Sequence, residues 1–303
     1  MDRELLVVAL AGFFASMVDG SLGMGFGPTS SSILLSAGIS PASASATVNL
    51  AKVVTGIVAG ASHWKLRNID KRLVVQLAVP GAVGALVGTT VLANVDGDVL
   101  RPYLAVLLLL VGLRILVRFS QPIVPRPVTE GRFVDREQTK GAPAAGAVGG
   151  VTNGLIGAWG PVVTPYLLHR GVAPRYVVGC VNTAEVAVAL VASGSLLAML
   201  GGDELRWDVI LAMLLGGVAA APLAAYVVRL FPPRILGLAV AGLLLITQSR
   251  ELASTVELPG NRWLAYLVVL AAVALALLRP RLKRRRGQPD PASAPVAVLA
   301  EDG

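Results

Sequence analysis

Apolar residues run in long segments through most of the chain, and short polar or basic clusters separate these segments. Seven of the segments have roughly the length of a helix that crosses a bilayer, about 20 residues. We therefore predict membrane-spanning helices over residues 41–62, 73–93, 100–117, 174–200, 208–228, 234–248 and 263–278.

Two further apolar segments, residues 5–37 and 144–170, are interrupted by glycine clusters that end in proline. Glycine and proline both disfavour a continuous helix. Backbone that is not helical within a bilayer must be buried in protein or line a wet cavity. We predict that each segment is a re-entrant hairpin of two half-helices with the glycine turn at its tip. The alternative is that the glycines only allow tight helix packing.

The two halves of the chain repeat. A shift of 134 residues places Gly12, Gly20 and Gly23 on Gly146, Gly154 and Gly157, and a shift of 133 places Gly27, Pro28 and Asn49 on Gly160, Pro161 and Asn182. Three crossings per half is an odd number, so the halves must be inverted in the membrane. The predicted fold is an all-α polytopic membrane protein, an inverted repeat of two halves. Each half has a re-entrant broken helix plus three transmembrane helices, and one additional transmembrane helix lies C-terminal to them. The predicted parts are a first repeat 1–118, a cytoplasmic linker 119–143, a second repeat 144–249, an extra helix 262–279 and a basic, disordered tail 280–303.

Composition supports a membrane protein and not a nucleic-acid-binding one. The 303 residues include 55% hydrophobic and only 15% charged residues, with mean hydropathy +0.72, whereas soluble domains carry about 25% charged residues. The net charge of +8 comes from basic clusters between apolar runs, and 19 of the 26 lysines and arginines fall on one predicted side. By the positive-inside rule that side is cytoplasmic. We expect a multi-pass protein of a bacterial-type cytoplasmic membrane, with its N-terminus outside and its C-terminus inside.

Broken helices suggest an anion site. The N-termini of half-helices offer unpaired N–H groups and partial positive charge, and glycines let the backbone approach a ligand closely. Charged residues within a membrane helix seldom face lipid, and Lys52 and Glu185 occupy equivalent repeat positions. Either Lys52 binds the anion while Glu185 or Asp19 takes a coupling proton, or Lys52 and Glu185 form a structural ion pair. The candidate substrate-binding residues are Gly23, Gly25, Gly27, Thr29, Asn49, Lys52, Gly157, Trp159, Gly160 and Asn182.

Enzymatic and metal chemistry find no support in the sequence. Cys180 is the one cysteine, and His63 and His169 lie too far apart to give metal-ligand spacing. No nucleophile–base pair or nucleotide-binding motif is visible, so we expect no catalytic residue, no metal and no cofactor. The expected partners are a small anionic substrate and the lipid bilayer, with no nucleic acid. Oligomeric state stays open. A transporter of another small metabolite and a non-transporting membrane scaffold are the alternatives, but a scaffold needs no paired broken helices.

The duplicated pattern resembles the TauE/SafE, or sulfite exporter, family of membrane permeases over residues 10 to 250. The resemblance implies movement of small sulfur-containing anions, such as sulfite or sulfonates, across the cytoplasmic membrane, which we expect to proceed by alternating access. Trp159 stands where the family often has glycine. The segments that carry the resemblance are VDGSLGMGFGPTS (18–30), GISPASA (38–44), HWKLRNID (63–70), PGAVG (80–84), GVTNG (150–154), GAWGP (157–161) and PYLLHRG (165–171).

Overall fold

The computed structural model describes residues 3–22, 25–120, 134–201, 206–230 and 233–255, and within these ranges all regular structure is helical. The all-α fold is therefore confirmed. The helices of the described ranges are α1 (Arg3–Leu22), α2 (Phe26–Ser36), α3 (Pro41–Lys65), α4 (Lys71–Asn94), α5 (Gly97–Ser120), α6 (Ala142–Ile156), α7 (Gly160–His169), α8 (Pro174–Leu200), α9 (Trp207–Leu230) and α10 (Pro233–Thr255).

Among the described residues, four helices are long and apolar enough to cross a membrane: α3, α4, α5 and α8. Each lies on a predicted span, and three of them extend two or three residues beyond the predicted ends. Helices α9 and α10 cover the two following predicted spans. The predicted last span and the basic tail lie outside the described residues, as do residues 121–133 of the linker.

Helices are interrupted at both glycine clusters, but over fewer residues than the clusters cover. Helix α1 continues through Gly20 to Leu22, and α6 continues through Gly154 to Ile156. Helix α2 begins at Phe26 after Gly25, and α7 begins at Gly160 after residues 157–159. We call the interruption between α1 and α2 the first break and residues 157–159 the second break. At 1.5 Å per residue, the 11 residues of α2 and the 10 of α7 extend about 16 and 15 Å, half the thickness of a bilayer core.

Gly154 illustrates why the breaks are short. A Cβ on this residue would lie 2.7 Å from the carbonyl oxygen of Ala85 and 3.2 Å from the Cα of Gly88. Its missing side chain therefore allows α6 to pack closely against α4, and it does not interrupt the helix. The packing alternative applies to this glycine, whereas Gly157 lies in the break itself.

The helices pack in pairs that join the two halves. Helix α1 packs along α9, α4 along α6, α3 against α8, and α5 against α10. Small residues allow the helix backbones to approach closely: Gly12 faces the carbonyl of Met213, and Gly146 faces the carbonyl of Leu77. These contacts between the halves enclose the two helix breaks.

The outer surface of the bundle is apolar. Along α4, Val79, Val83 and Val87 are all more than half exposed, while Leu73 and Leu77 on the opposite side are fully buried. A continuous exposed apolar surface of this kind suits a lipid environment. The polar residues that the membrane would penalise lie inside, around the breaks.

Candidate functional site

The two helix breaks touch each other. Gly157 ends α6 in the left-handed conformation, with φ +67°, and its Cα lies against Gly27 at the start of α2. A Cβ on Gly27 would overlap the carbonyl oxygen of Gly157 and lie 3.0 Å from Nζ of Lys52. Only glycine fits at both places, because one requires positive φ and the other requires close backbone contact.

Lys52 of α3 connects this junction to α8. Its ammonium group donates to Oδ1 of Asn153 at 3.1 Å, to the carbonyl of Gly157 at 2.5 Å, and to Oε1 of Glu185 at 2.5 Å. The Lys52 side chain is 7% exposed and that of Glu185 is 18% exposed. An ammonium group has three protons, so all three of the Lys52 donors are used.

The position of Lys52 also suits the charge of the helix end. Gly157 caps the C-terminus of α6, where the unpaired carbonyls of a helix carry partial negative charge. A cation at this point stabilises the broken end of α6 and satisfies a carbonyl that the break leaves free. In this conformation Lys52 therefore pairs with Glu185 and stabilises the end of α6.

Asn49 lies one helical turn before Lys52 and extends the same cluster. Its amide nitrogen donates to the carbonyl of Ser45 at 2.9 Å and to the carbonyl of Asn153 at 3.3 Å, and its Oδ1 accepts from Nδ2 of Asn153 at 2.7 Å. Both asparagines are fully buried. Ser45 donates in turn to the carbonyl of Gly154 at 2.5 Å. Asn49 and Lys52 thus both bind groups at the C-terminal end of α6.

Asp19 lies on the other side of the junction, in the last turn of α1. Its Oδ1 accepts the N–H of Phe26 at 3.3 Å, so a carboxylate from α1 caps the N-terminus of α2. Asp19 lies close enough to both Lys52 and Glu185 to interact with their charges. One ammonium and two carboxyl groups therefore share one buried region.

The starts of α2 and α7 are alike. The first helical bond of α2 runs from Thr29 to Gly25, and α7 begins with bonds from Val162 and Val163 to Trp159. The N–H groups of Gly27 and Gly160 precede these bonds, and the prolines that follow have no N–H to donate. Each short helix therefore has, at its Gly-Pro step, a backbone N–H that its own helix does not use.

The remaining predicted residues have varied surroundings. Trp159 is fully buried against Gly81 of α4, and its indole N–H donates to the carbonyl of Val181 at 3.1 Å. Asn182 is half-buried one turn before Glu185, and its side chain makes no hydrogen bond to any described residue. Gly25 and Thr29 are buried near the start of α2. Gly23 lies outside the described residues.

Asn153 is the residue that the sequence-based set omits. It contacts both Asn49 and Lys52, and its backbone accepts the N–H of Gly157. The available signal was its position, since the shift of 134 residues places Asp19 on Asn153. Polar residues at equivalent positions of the two halves therefore indicate the polar cluster, in addition to the repeated glycines.

Apolar helices, broken in two places around a buried charged cluster, define the architecture of a membrane transporter. The chain belongs to the sulfite exporter TauE/SafE family, whose model matches residues 8–250. It is also similar to the "Probable membrane transporter protein YtnM" of Bacillus subtilis (strain 168), with 40% identity over 277 residues that cover 91% of this chain and 89% of that protein. No solved structure matches the chain significantly.

Proposed function

We propose that this membrane transporter moves a small anion, a sulfur-containing oxyanion or organosulfonate, across a bacterial-type cytoplasmic membrane by alternating access. The observation that carries the proposal is the buried ammonium group of Lys52 at the point where the two helix breaks meet. The family name and the resemblance suggest the sulfur chemistry. The positive charge of the Lys52 ammonium group suggests the anion.

An inverted repeat is part of this proposal. Lys52 and Glu185 are separated by 133 residues, which is the repeat shift, and they contact each other. Equivalent residues of two copies meet only at the axis that relates the copies. The packing of α1 along α9 and of α6 along α4 supports the repeat, because α1 and α6 precede the two breaks and α4 and α9 are each the third helix after a break. Such an axis within the membrane plane would put the site near the bilayer midplane, between two re-entrant breaks.

Charge balance couples the anion to a proton in this proposal. Asp19, Glu185 and Lys52 carry a net charge of −1 when all three are ionised, and Lys52 already donates to Glu185. An anion that enters must take the place of Glu185 on Lys52. Protonation of Glu185, or of Asp19, removes a negative charge that would repel the entering anion.

The rest of the site follows from the junction. Gly27 and Gly160 supply N–H groups that their own helices do not use, Gly25 and Gly157 supply backbone that a ligand can approach, and Asn49 and Asn182 supply amides. Trp159 forms a wall behind the second break. The two halves in this proposal are residues 1–118 and 144–249, and residues 119–143 join them on the cytoplasmic side.

Uptake into proteoliposomes tests the proposal. The purified chain should accumulate labelled sulfite or methanesulfonate when the lumen is made alkaline relative to the bath, because a co-transported proton then drives entry. Lys52→Met should abolish accumulation, whereas the exposed Lys65→Met should transport like the unaltered chain. Counterflow of a neutral metabolite but of neither anion would favour the alternative substrate class. Transport that survives Lys52→Met would remove this residue from the site.

A further inference from the structure

Four consecutive hydroxyl residues, Thr29 to Ser32, follow the break at the start of α2, and they differ in their partners. Ser31 donates to the carbonyl of Ile156 at 2.9 Å. Ser32 lies 2.6 Å from Oγ1 of Thr247 and accepts from Gln248. The hydroxyls of Thr29 and Ser30 are buried, with exposures of 1% and 0%, and have no hydrogen-bond partner.

An unpaired hydroxyl is unusual at such a position. Serine and threonine within apolar helices normally donate to a carbonyl of the preceding turn, as Thr47 does to Ser43 at 2.7 Å. A buried donor without a partner is unfavourable. A buried unpaired hydroxyl beside a helix break therefore suggests that another group accepts a hydrogen bond from it during the transport cycle.

The direction of each hydroxyl follows from helix geometry. Successive residues of an α-helix are about 100° apart. Gly27 faces Gly157 and Lys52, while the ring of Phe26 lies on the side of Gly217 in α9. Ser30 lies in the sector between these two directions, about 60° from Gly27.

Thr29 lies in a different sector of the helix. It is about 160° from Gly27, between Ser32, which contacts α10, and Phe26. Its hydroxyl therefore faces away from Lys52. Although the sequence motif includes both residues, the geometry separates Ser30 from Thr29.

We propose that the Ser30 hydroxyl donates a hydrogen bond to a substrate oxyanion held by Lys52. This inference rests on the proposed function and sharpens its substrate class. A sulfite or sulfonate group has more than one oxygen, so Lys52, the N–H of Gly27 and the hydroxyl of Ser30 each have an acceptor. Ser30 replaces Thr29 as the hydroxyl ligand of the site.

Binding to the purified full chain tests this assignment. Titration calorimetry with sulfite and with methanesulfonate should show that Ser30→Ala weakens binding about 10- to 150-fold, the loss expected for one hydrogen bond to a charged group. Thr29→Val removes the neighbouring hydroxyl while it keeps the side-chain volume, and it should leave affinity within about twofold. Equal losses from the two variants, or a loss from Thr29→Val alone, overturn the proposal.

Thermal unfolding without any anion gives a second, independent measurement. Ser30→Ala should leave the Tm unchanged or raise it, because no bond is lost. Ser31→Ala should lower the Tm, because its bond to Ile156 is broken. A Tm of Ser30→Ala as low as that of Ser31→Ala would show a structural partner and overturn the proposal.

The binding data also separate this inference from the proposed function. An unaltered chain that binds either anion, together with Ser30→Ala that binds equally well, refutes only the role of Ser30. An unaltered chain that binds neither anion refutes both.

Discussion

The two helix breaks have similar backbone arrangements but different polar side chains around them. Both are followed by a short helix with Gly-Pro in its first turn, at equivalent repeat positions. The second break is closed: Gly157 caps α6, Thr152 donates to the carbonyl of Ala158 at 2.9 Å, and Lys52 and Asn153 bind the helix end. At the first break, Asp19 is the one side chain among the described residues that caps the start of α2, and the unpaired hydroxyls of Thr29 and Ser30 follow it.

Charge differs between the halves in the same way. The first half places Asp19 and Lys52 where the second half places Asn153 and Glu185. The cation of the first half therefore stabilises the broken helix of the second half, through the carbonyl of Gly157. Both short helices contain buried hydroxyls without a hydrogen-bond partner, those of Thr29 and Ser30 in α2 and that of Thr164 in α7. The second break differs because Lys52 binds its helix end, so we infer that the second break is structural and that the first can accept a ligand.

The largest effect should come from the contact between the breaks. Gly27→Ala places a methyl group on the carbonyl of Gly157 and beside Lys52. Because backbone must move to relieve this overlap, we expect stability to fall by about 3 kcal/mol or more and transport to be lost. Fluorescence-detected size-exclusion chromatography after heating measures the stability change.

Gly194→Ala in α8 is the matched control for this substitution. Nothing lies within 4 Å of a Cβ at that position, and alanine favours a helix over glycine by about 1 kcal/mol. The control should be as stable as the unaltered chain or more so. If Gly27→Ala were as stable as Gly194→Ala, the two breaks would not touch.

The second prediction concerns the ion pair that crosses between the halves. Lys52→Met leaves Glu185 and the carbonyl of Gly157 without their donor. Breaking a buried pair from one side typically costs about 3–5 kcal/mol, so the variant should unfold at a clearly lower temperature.

A double variant separates structure from transport. Lys52→Met with Glu185→Leu removes both charges, and apolar replacement of a whole pair is often neutral. We expect most of the stability to return without any return of anion uptake. If the double variant recovered anion uptake, the Lys52–Glu185 pair would be purely structural, and Lys52 would not be the cation that binds the anion.

The sequence was informative where the determinants are local. Long apolar runs located the helices, and paired Gly-Pro steps located both breaks. The insertion cost of Lys52 and Glu185 marked them as interior. The bonds from Lys52 and Asn49 to Asn153 join residues 101 and 104 positions apart, and no local pattern encodes them. The sequence also treated all glycines of a cluster alike, whereas Gly154 packs within a helix and Gly157 ends one.

The third prediction compares the two equivalent polar residues of the breaks. Asn153→Ala leaves the amide groups of Asn49 and the ammonium of Lys52 short of a buried partner, so it should cost about 2–3 kcal/mol. Asp19→Ala removes one helix cap and should cost about 1 kcal/mol. Asp19→Asn keeps an oxygen for the N–H of Phe26 and should restore that stability. A larger loss from Asp19→Ala than from Asn153→Ala would reverse the assignment of the structural break.

The smallest effect should come from Thr152. Its hydroxyl donates to the carbonyl of Ala158 within the second break, and the equivalent position in the first half is Val18. Thr152→Val therefore gives the second break the side chain of the first, with nearly the same volume. One lost hydrogen bond from a half-buried hydroxyl should lower stability by about 1 kcal/mol. Because Thr152 supports the structural break and lies away from the proposed ligand hydroxyl of Ser30, anion affinity in calorimetry should stay within about twofold. A large loss of affinity with unchanged stability would place the ligand at the second break, and the division between the two breaks would then be wrong.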